Sequence, residues 1–362
     1  MRILALTKYG PLAASTRQRF LQYKPFLAAH GVTLDIEPLL GDDRLAQVDG
    51  RAGGRRKNLL GLAGLYRKRL AALRRARDYD LLWVQYELFP YLPGLFERLA
   101  GRARVPVVVD YDDAIFHLYD RHRRGPVRAL LGRKLEPLLR RAAACICGND
   151  YLLDYARRFC PASVLIPTVV DTDSYRPAEA PPAVPRVGWI GTPTNWQNVM
   201  PLLPAILPEI ERHGGELRAI GAGAGAQPAP GLVLADWREP EEMAELQAMS
   251  VGIMPLLDAP FQRGKCGYKL IQYMACGVPV IASPVGVNAS IVNDRGAGLI
   301  AESPAEWVAA LDRLLSDEGL RADMGAAGRA TVEEKFSLAA HQPRLLRTLL
   351  DAAQGRPAGE AA

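Results

Sequence analysis

The chain alternates short apolar runs with helix-like segments in two separate rounds, and one stretch divides them. Residues 171–185, "DTDSYRPAEAPPAVP", carry Pro177, Pro181, Pro182 and Pro185 and show no apolar period. Proline lacks the N–H that helices and sheet ladders need, so the stretch reads as a linker. Whatever flanks it must fold as two units, which also suits 362 residues, too many for one ordinary core.

Before the linker, "RILALT" (2–7), "VTLDIEPL", "LLWVQY" (81–86), "VPVVVDY" (105–111), "ACICG" (144–148) and "SVLIPT" (163–168) read as strands. A helix is expected around 16–30. After it, "RVGWIG" (186–191), "ELRAIG" (216–221), "LVLA" (232–235), "VGIMPL" (251–256), "PVIAS" (279–283) and "AGLIA" (297–301) repeat the pattern. Helices are expected at 197–213, 239–249, 304–316, about 318–330 and about 338–352. Strands alternating with helices imply parallel sheets covered on both faces. The expected fold is α/β, two doubly wound Rossmann-like domains facing a cleft. The first spans 1–170, the second 186–335; the final helix packs back on the first, and 353–362 form a disordered tail. Ligands of such sheets collect outside the carboxyl ends of the strands, so sites are sought there.

Composition narrows the setting. No run of about 18 uninterrupted apolar residues suggests a membrane span. The opening "MRILALTKYG" lacks a leader's apolar length and cleavage site, and reads as a first strand. Five scattered cysteines fit a reducing compartment, and Cys145 and Cys147 suit a buried strand better than a zinc knuckle. The cytoplasm is the expected location, with peripheral attachment at the inner face of a membrane. The net charge of +6 is uneven. Residues 51–77 hold ten Lys/Arg and no acid, and 121–141 hold eight against Glu136 alone. Such tracts are either solvated arginine-rich faces or surfaces for an anion such as lipid headgroups, polyphosphate or nucleic acid. Within the first, "LLGLAGLYRKRLAAL" is amphipathic enough to lie beside anionic lipid. Tyr66 is its one aromatic residue, which disfavours stacking on a nucleic acid strand.

Residues 263–283, "RGKCGYKLIQYMACGVPVIAS", follow a strand and open a helix expected from near Gly267 to Cys276. First-turn amides are unpaired and electropositive, so they suit a phosphate. Lys265 and Lys269 oppose that dipole unless an anion sits between them. Gln272 is expected beside the cleft, within reach of sugar hydroxyls, or else simply exposed. In "RVGWIGTPTNW", Gly191 and Thr192 fall where a strand ends before a helix and suit a diphosphate. "GAGAG" (221–225) signals only a flexible turn. In "TKYGPLAASTRQRF", Arg17 and Arg19 are expected in the first turn of a helix capped by Ser15 or Thr16. They would hold an anion or acceptor there, or pair with a nearby acid. "VVVDYDDAIFH" (107–117) places Asp110, Asp112 and Asp113 at a strand end, where they repel unless paired. Asp112 and Asp113 are candidates for orienting an acceptor, and His117 for taking its proton.

Several segments together resemble retaining GT-B glycosyltransferases of family 4. "IPTVVDTDSYRP" (166–177) is similar to that family's "IPNGVDTxxFxP", and "GYKLIQYMACGVPVIASPVGV" (267–287) to its "GLxxxEAMAxGxPVIAxxxGG". "LADWREPEEMAELQAMSVGIMPL" (234–256) matches the segment usually found upstream. The likeness covers nearly all of 160–340 and is weaker over 1–160. It implies transfer of a sugar from a nucleotide diphosphate donor in the second domain to an acceptor in the first, and the basic stretch 51–77 points to a lipid-linked or envelope glycan acceptor. It further implies retention, no metal ion and no cofactor. Of the family's E-x7-E, the first glutamate falls on Gly264 and the second on Gln272. The cations usual after the "GWIG"-like strand are replaced by Thr192, Thr194 and Asn195, which leaves Lys265 and Lys269 as the phosphate charges. The family's first-domain histidine falls near Asp112. The rivals are a nucleotide-sugar epimerase of the same architecture and a non-catalytic binder of anions or nucleotide sugars.

Overall fold

The computed structural model describes residues 1–41, 59–182 and 184–356. The basic residues 51–58 and the tail residues 357–362 therefore lie outside the described residues.

Six strands form the first sheet: β1 (Arg2–Tyr9), β2 (Thr33–Leu40), β3 (Leu81–Gln85), β4 (Val107–Tyr111), β5 (Ala144–Cys147) and β6 (Ser163–Leu165). Their order is β2-β1-β3-β4-β5-β6, and every pair is parallel. The second sheet holds β7 (Arg186–Ile190), β8 (Glu216–Ile220), β9 (Leu232–Ala235), β10 (Val251–Met254), β11 (Val280–Ala282) and β12 (Gly298–Ile300). Its order is β12-β11-β10-β7-β8-β9, again all parallel. Both sheets are doubly wound, so the expected two-domain Rossmann-like architecture holds. The strand order reverses between β1 and β3 in one domain and between β7 and β10 in the other, which opens a crevice at each point.

Alternation along the strands builds a core on each face. In β1, Leu4 and Leu6 join Leu82, Val84 and Val109 on one side. Ile3 and Ala5 join Leu81, Trp83 and Val108 on the other, together with Leu345, Leu349 and Ala352. Those last three belong to the helix Leu338–Ala353, which lies on the first sheet although it follows the second domain. The chain thus crosses between domains twice. The crossings are tied by Val170 N donating to Phe336 O at 3.0 Å and Leu338 N donating to Val170 O at 2.8 Å.

Two expected helices are broken, in both cases by proline. The stretch 16–30 is a helix Ala14–Arg19, a tight turn Leu21–Tyr23 and a helix Lys24–Ala29. Pro25 cannot donate back to Leu21 and its ring would strike that carbonyl. The stretch 197–213 becomes a short helix Pro193–Trp196, a turn Met200–Leu202 and a helix Leu203–Arg212, restarted by Pro201 and Pro204.

The described part of the 51–77 tract is the helix Leu59–Arg75 and the start of the turn Ala76–Asp78. Ala72 and Leu73 are buried in the first-domain core, and Tyr66 and Leu70 pack against it. Arg69 is buried and donates to Thr7 O at 2.6 Å, while Arg75 pairs with Glu37 at 2.5 Å. The side chains of Tyr66, Leu70, Ala72 and Leu73, which would lie on a membrane, pack instead on the first-domain core.

Candidate functional site

The loop after β10 meets the loop after β4, and the lysines singled out in the sequence sit at that junction. Cys266 Sγ donates to the Asp112 carbonyl at 3.1 Å. Asn149 Nδ2 donates to the carbonyls of Gly264 and Lys265 at 2.9 and 3.1 Å. The same Asn149 caps the helix Asp150–Arg157, its Oδ1 accepting from Leu152 N at 2.9 Å. Lys265 Nζ stands 3.7 Å from Asp113 Oδ1. A β-carbon on Gly264 would lie 2.3 Å from Ala114 Cβ, well inside contact distance. That explains why no glutamate stands at 264: the first domain occupies the space.

The helix Tyr268–Ala275 starts at Gly267, whose φ of +68° favours glycine, and no side chain caps it. Its first amides are therefore open. The Cα face of Gly267 points at Ile291, with a β-carbon 2.4 Å from Cδ1, so this glycine shapes the turn and lines no cradle. Lys269 lies in the first turn, its Cε 3.0 Å from where a β-carbon on Gly191 would stand. Among the described residues no hydrogen bond or ion pair holds its ammonium. Burial, and then the charge of Lys265, bring its pKa down to about 7, against the pull of Asp113. Two expected contacts are already engaged. Gly191 N donates to Ile220 O at 2.9 Å as part of the ladder, and Thr192 Oγ1 accepts from Asn195 Nδ2 at 3.1 Å.

Gln272 does not face the open cleft. It is buried, and its Nε2 donates to Glu242 Oε1 at 2.8 Å and to Tyr175 OH at 3.2 Å. Glu242 also accepts from Tyr175 OH and from Trp237 Nε1, both at 2.5 Å. Glu242 is only half-buried, so the carboxylate at this end of the cleft comes from a helix 30 residues upstream of Gln272.

Arg17 crosses the cleft. Its guanidinium lies 4.8 Å from the Trp237 ring and 3.8 Å from Glu239. Arg19 turns inward instead. It donates to both oxygens of Asp110 at 2.8 and 3.2 Å and to the carbonyls of Ile166 and Pro167, each at 2.9 Å. Four of its five N–H donors are thus spent on protein acceptors, which makes it a poor seat for an anion. The dipole argument for both arginines fails as well. The helix begins at Ala14 with neither Ser15 nor Thr16 as its cap, so Arg17 and Arg19 occupy its last turn, which favours cations.

The three aspartates are kept apart by three different partners. Asp110 has Arg19. Asp112 accepts from Tyr86 OH, and Asp113 faces Lys265. Burial, reinforced by the charge of Asp113, pushes Asp112 up to about 7. His117 has both ring nitrogens engaged, Nδ1 with Asp120 at 2.8 Å and Nε2 with Tyr151 OH at 2.7 Å. As it stands, it has no nitrogen free for an acceptor proton. The described residues that could hold a metal are Glu209, His213 and Asp312, on the helices Leu203–Arg212 and Pro304–Ser316 and the turn after the first. Arg212 already pairs with both of those carboxylates.

One group escaped the sequence. Glu87 is wholly buried beyond β3 with Lys8 at 3.2 Å, Lys134 beside it, and Tyr119 OH donating at 2.8 Å. Lys134 also lies 3.1 Å from Glu97. Burial raises Glu87, but Lys8 and Lys134 outweigh it and hold the carboxyl below its usual range. The network fixes the crevice between β1 and β3. A Lys134 inside the basic tract 121–141 looks like surface; its burial depends on partners 37 and 47 residues away.

Residues 184–317 match the family model described as glycosyl transferases group 1. A D-inositol 3-phosphate glycosyltransferase of Acidothermus cellulolyticus is 34% identical over 119 residues, 32% of this chain and 25% of that protein. The chain thus spans a quarter of that curated relative's length. Sucrose-phosphate synthase from Thermosynechococcus elongatus superposes with a TM-score of 0.70 at 18% identity, over 95% of this chain and 97% of that one. Anabaena HepE, solved with UDP-glucose, gives 0.68 at 15% identity over 97% and 100%. The resemblance to group 1 transferases is borne out over the second domain, and the GT-B fold over nearly the whole chain.

Proposed function

We propose that this chain transfers a sugar from a nucleotide diphosphate donor to an acceptor hydroxyl. The observation that carries the proposal is Lys269. It is a depressed, unpartnered lysine at an uncapped helix start, beside the end of β7 and close to a second lysine. A diphosphate there would meet Lys269, the first-turn amides and Lys265, which would leave Asp113 for it. Charge that develops on the leaving group is then neutralised by groups already in place. With those cations no metal ion is required, and no cofactor enters. The family likeness suggests retention at the anomeric carbon.

Glu242 is our candidate for the ribose hydroxyls, held in orientation by Gln272, Tyr175 and Trp237. Asp112 and Asp113 stand on the acceptor side, where Asp113 is the charged partner and Asp112 the protonatable one. The acceptor is a glycan or lipid-linked hydroxyl, used at the cytoplasmic face of a membrane. No helix among the described residues is long and apolar enough to cross one.

The test is thermal stabilisation by a panel of nucleotide sugars, with Lys265→Ala and Lys269→Ala alongside. We expect one nucleotide series to stabilise the protein and both variants to lose most of that shift. If no nucleotide sugar shifts the wild type, the donor assignment is wrong. If both variants respond like the wild type, the phosphate seat is elsewhere. Isomerisation of the donor without any acceptor would favour an epimerase instead.

A further inference from the structure

Among the described residues nine large apolar side chains are exposed, and five of them fall within 91–130. Tyr91, Leu95 and Leu130 are 62%, 68% and 64% exposed, and Phe96 and Leu118 join them. The short elements that carry these residues adjoin one another. Tyr91 N donates to Tyr119 OH at 3.3 Å, which ties the 91–96 loop to the helix His117–Asp120. That helix packs on Gly125–Leu131, and Gly94 lies against Lys134. Exposed aromatic and leucine side chains on short, tightly braced elements are costly in water unless something covers them.

The surrounding charge says what covers them. Arg121, Arg123, Arg124, Arg128 and Arg133 are all exposed on the same segment. Of its acids, Glu136 is mostly enclosed and paired with Arg133, and Asp120 is engaged by His117. Exposed apolar tips with exposed arginines on the same and adjoining elements match a bilayer with anionic headgroups, since the tips enter the interface and the guanidinia meet phosphates. We infer that this surface, rather than the helix Leu59–Arg75 whose Tyr66, Leu70, Ala72 and Leu73 are already packed, docks the chain on an anionic membrane.

The position has a functional sense, which rests on the proposed transfer reaction. The helix His117–Asp120 continues the loop that carries Asp112 and Asp113, and it touches Pro260–Arg263 across the cleft. Docking there would set the acceptor wall of the cleft at the lipid surface. The docking itself depends only on the surface described.

Vesicle co-sedimentation tests it with the full chain, comparing phosphatidylcholine alone with phosphatidylcholine plus phosphatidylglycerol. One variant carries Arg121→Glu, Arg123→Glu and Arg124→Glu. The other carries Tyr91→Asn, Leu95→Ser and Leu130→Ser, with asparagine chosen because Tyr91 has a φ of +66°. We expect the wild type to pellet with the anionic vesicles, less so at high salt. The arginine variant should bind more weakly by about fivefold or more per charge. The apolar variant should lose binding at every salt concentration. Stabilisation by nucleotide sugars should persist in both, which separates this test from that of the donor site. The inference is overturned if the wild type ignores anionic vesicles or if neither variant differs from it. It is also overturned if the apolar variant only converts a dimer to a monomer in sedimentation velocity, because the surface would then be a contact between two copies.

Discussion

Gly264 and Ala114 belong to different domains, yet a β-carbon on the first would overlap the methyl of the second at 2.3 Å. The cleft is closed at that point by backbone against a methyl group. Gly264→Ala should therefore destabilise the protein by about 1–3 kcal/mol through overpacking. Adding Ala114→Gly should recover on the order of 1 kcal/mol, because neighbouring sites couple. A double-mutant cycle read by thermal melting checks this, and strict additivity would refute the contact.

Lys269 titrates near neutrality, so donor binding should depend on pH. The ammonium gains charge as pH falls through about 7, whereas a sugar diphosphate keeps its charge over that range. Donor affinity should rise from about pH 8 to about pH 6 and then level off. Lys269→Met should bind more weakly and lose this dependence, as titration calorimetry at several pH values would measure.

Asp112 predicts a curve of the same sense, but in stability. Its folded pKa of about 7 lies above the ordinary value of 3.8, so the native state holds the extra proton between the two. The stability this contributes is complete below about pH 4 and is lost as pH rises through 7. Asp112→Asn should remove that decline and so gain on the wild type by on the order of 1 kcal/mol at pH 8. Urea melts across the pH range give the comparison.

Arg19→Ala should cost about 3–5 kcal/mol, because it strands the buried Asp110 carboxylate. Since the hydrogen bonds of Arg19 all go to first-domain acceptors, the surviving folded fraction should respond to donor as the wild type does.

Glu242→Gln keeps the size of the side chain but removes its charge and one acceptor. If Glu242 holds the ribose, KM for the donor should rise by about tenfold while kcat changes little, a loss of uniform binding. An unchanged KM would reduce Glu242 to a brace for Gln272.

Patterns carried by neighbours in sequence were legible, and those carried by distant partners were not. The apolar runs of β1, β4 and β10 marked both sheets, and the glycines and lysines of 264–269 marked the uncapped helix start. Pro25 and Pro204 also stood in plain view as helix breakers, and the expected helices should have stopped at them. Nothing local distinguishes Lys134 from the solvated arginines around it, or Glu242 from the other acids of its helix. Their burial and roles come from partners tens of residues away. Asn149 lies between the two cases. An asparagine before a helix is readable as a cap, but its second attachment, to the carbonyls of Gly264 and Lys265, exists only after the domains meet.

All five cysteines are buried, but Cys266 differs from the rest in where it is buried. Four are enclosed by a single domain, whereas Cys266 is covered by Gly148 and Asp112 of the other domain. Separation of the domains would bare one thiol and leave the others shielded. The native chain therefore carries its own stopwatch. The rate at which an alkylating reagent consumes its first thiol reports how often the cleft opens, and a ligand that bridges the domains would slow that rate without any engineered label.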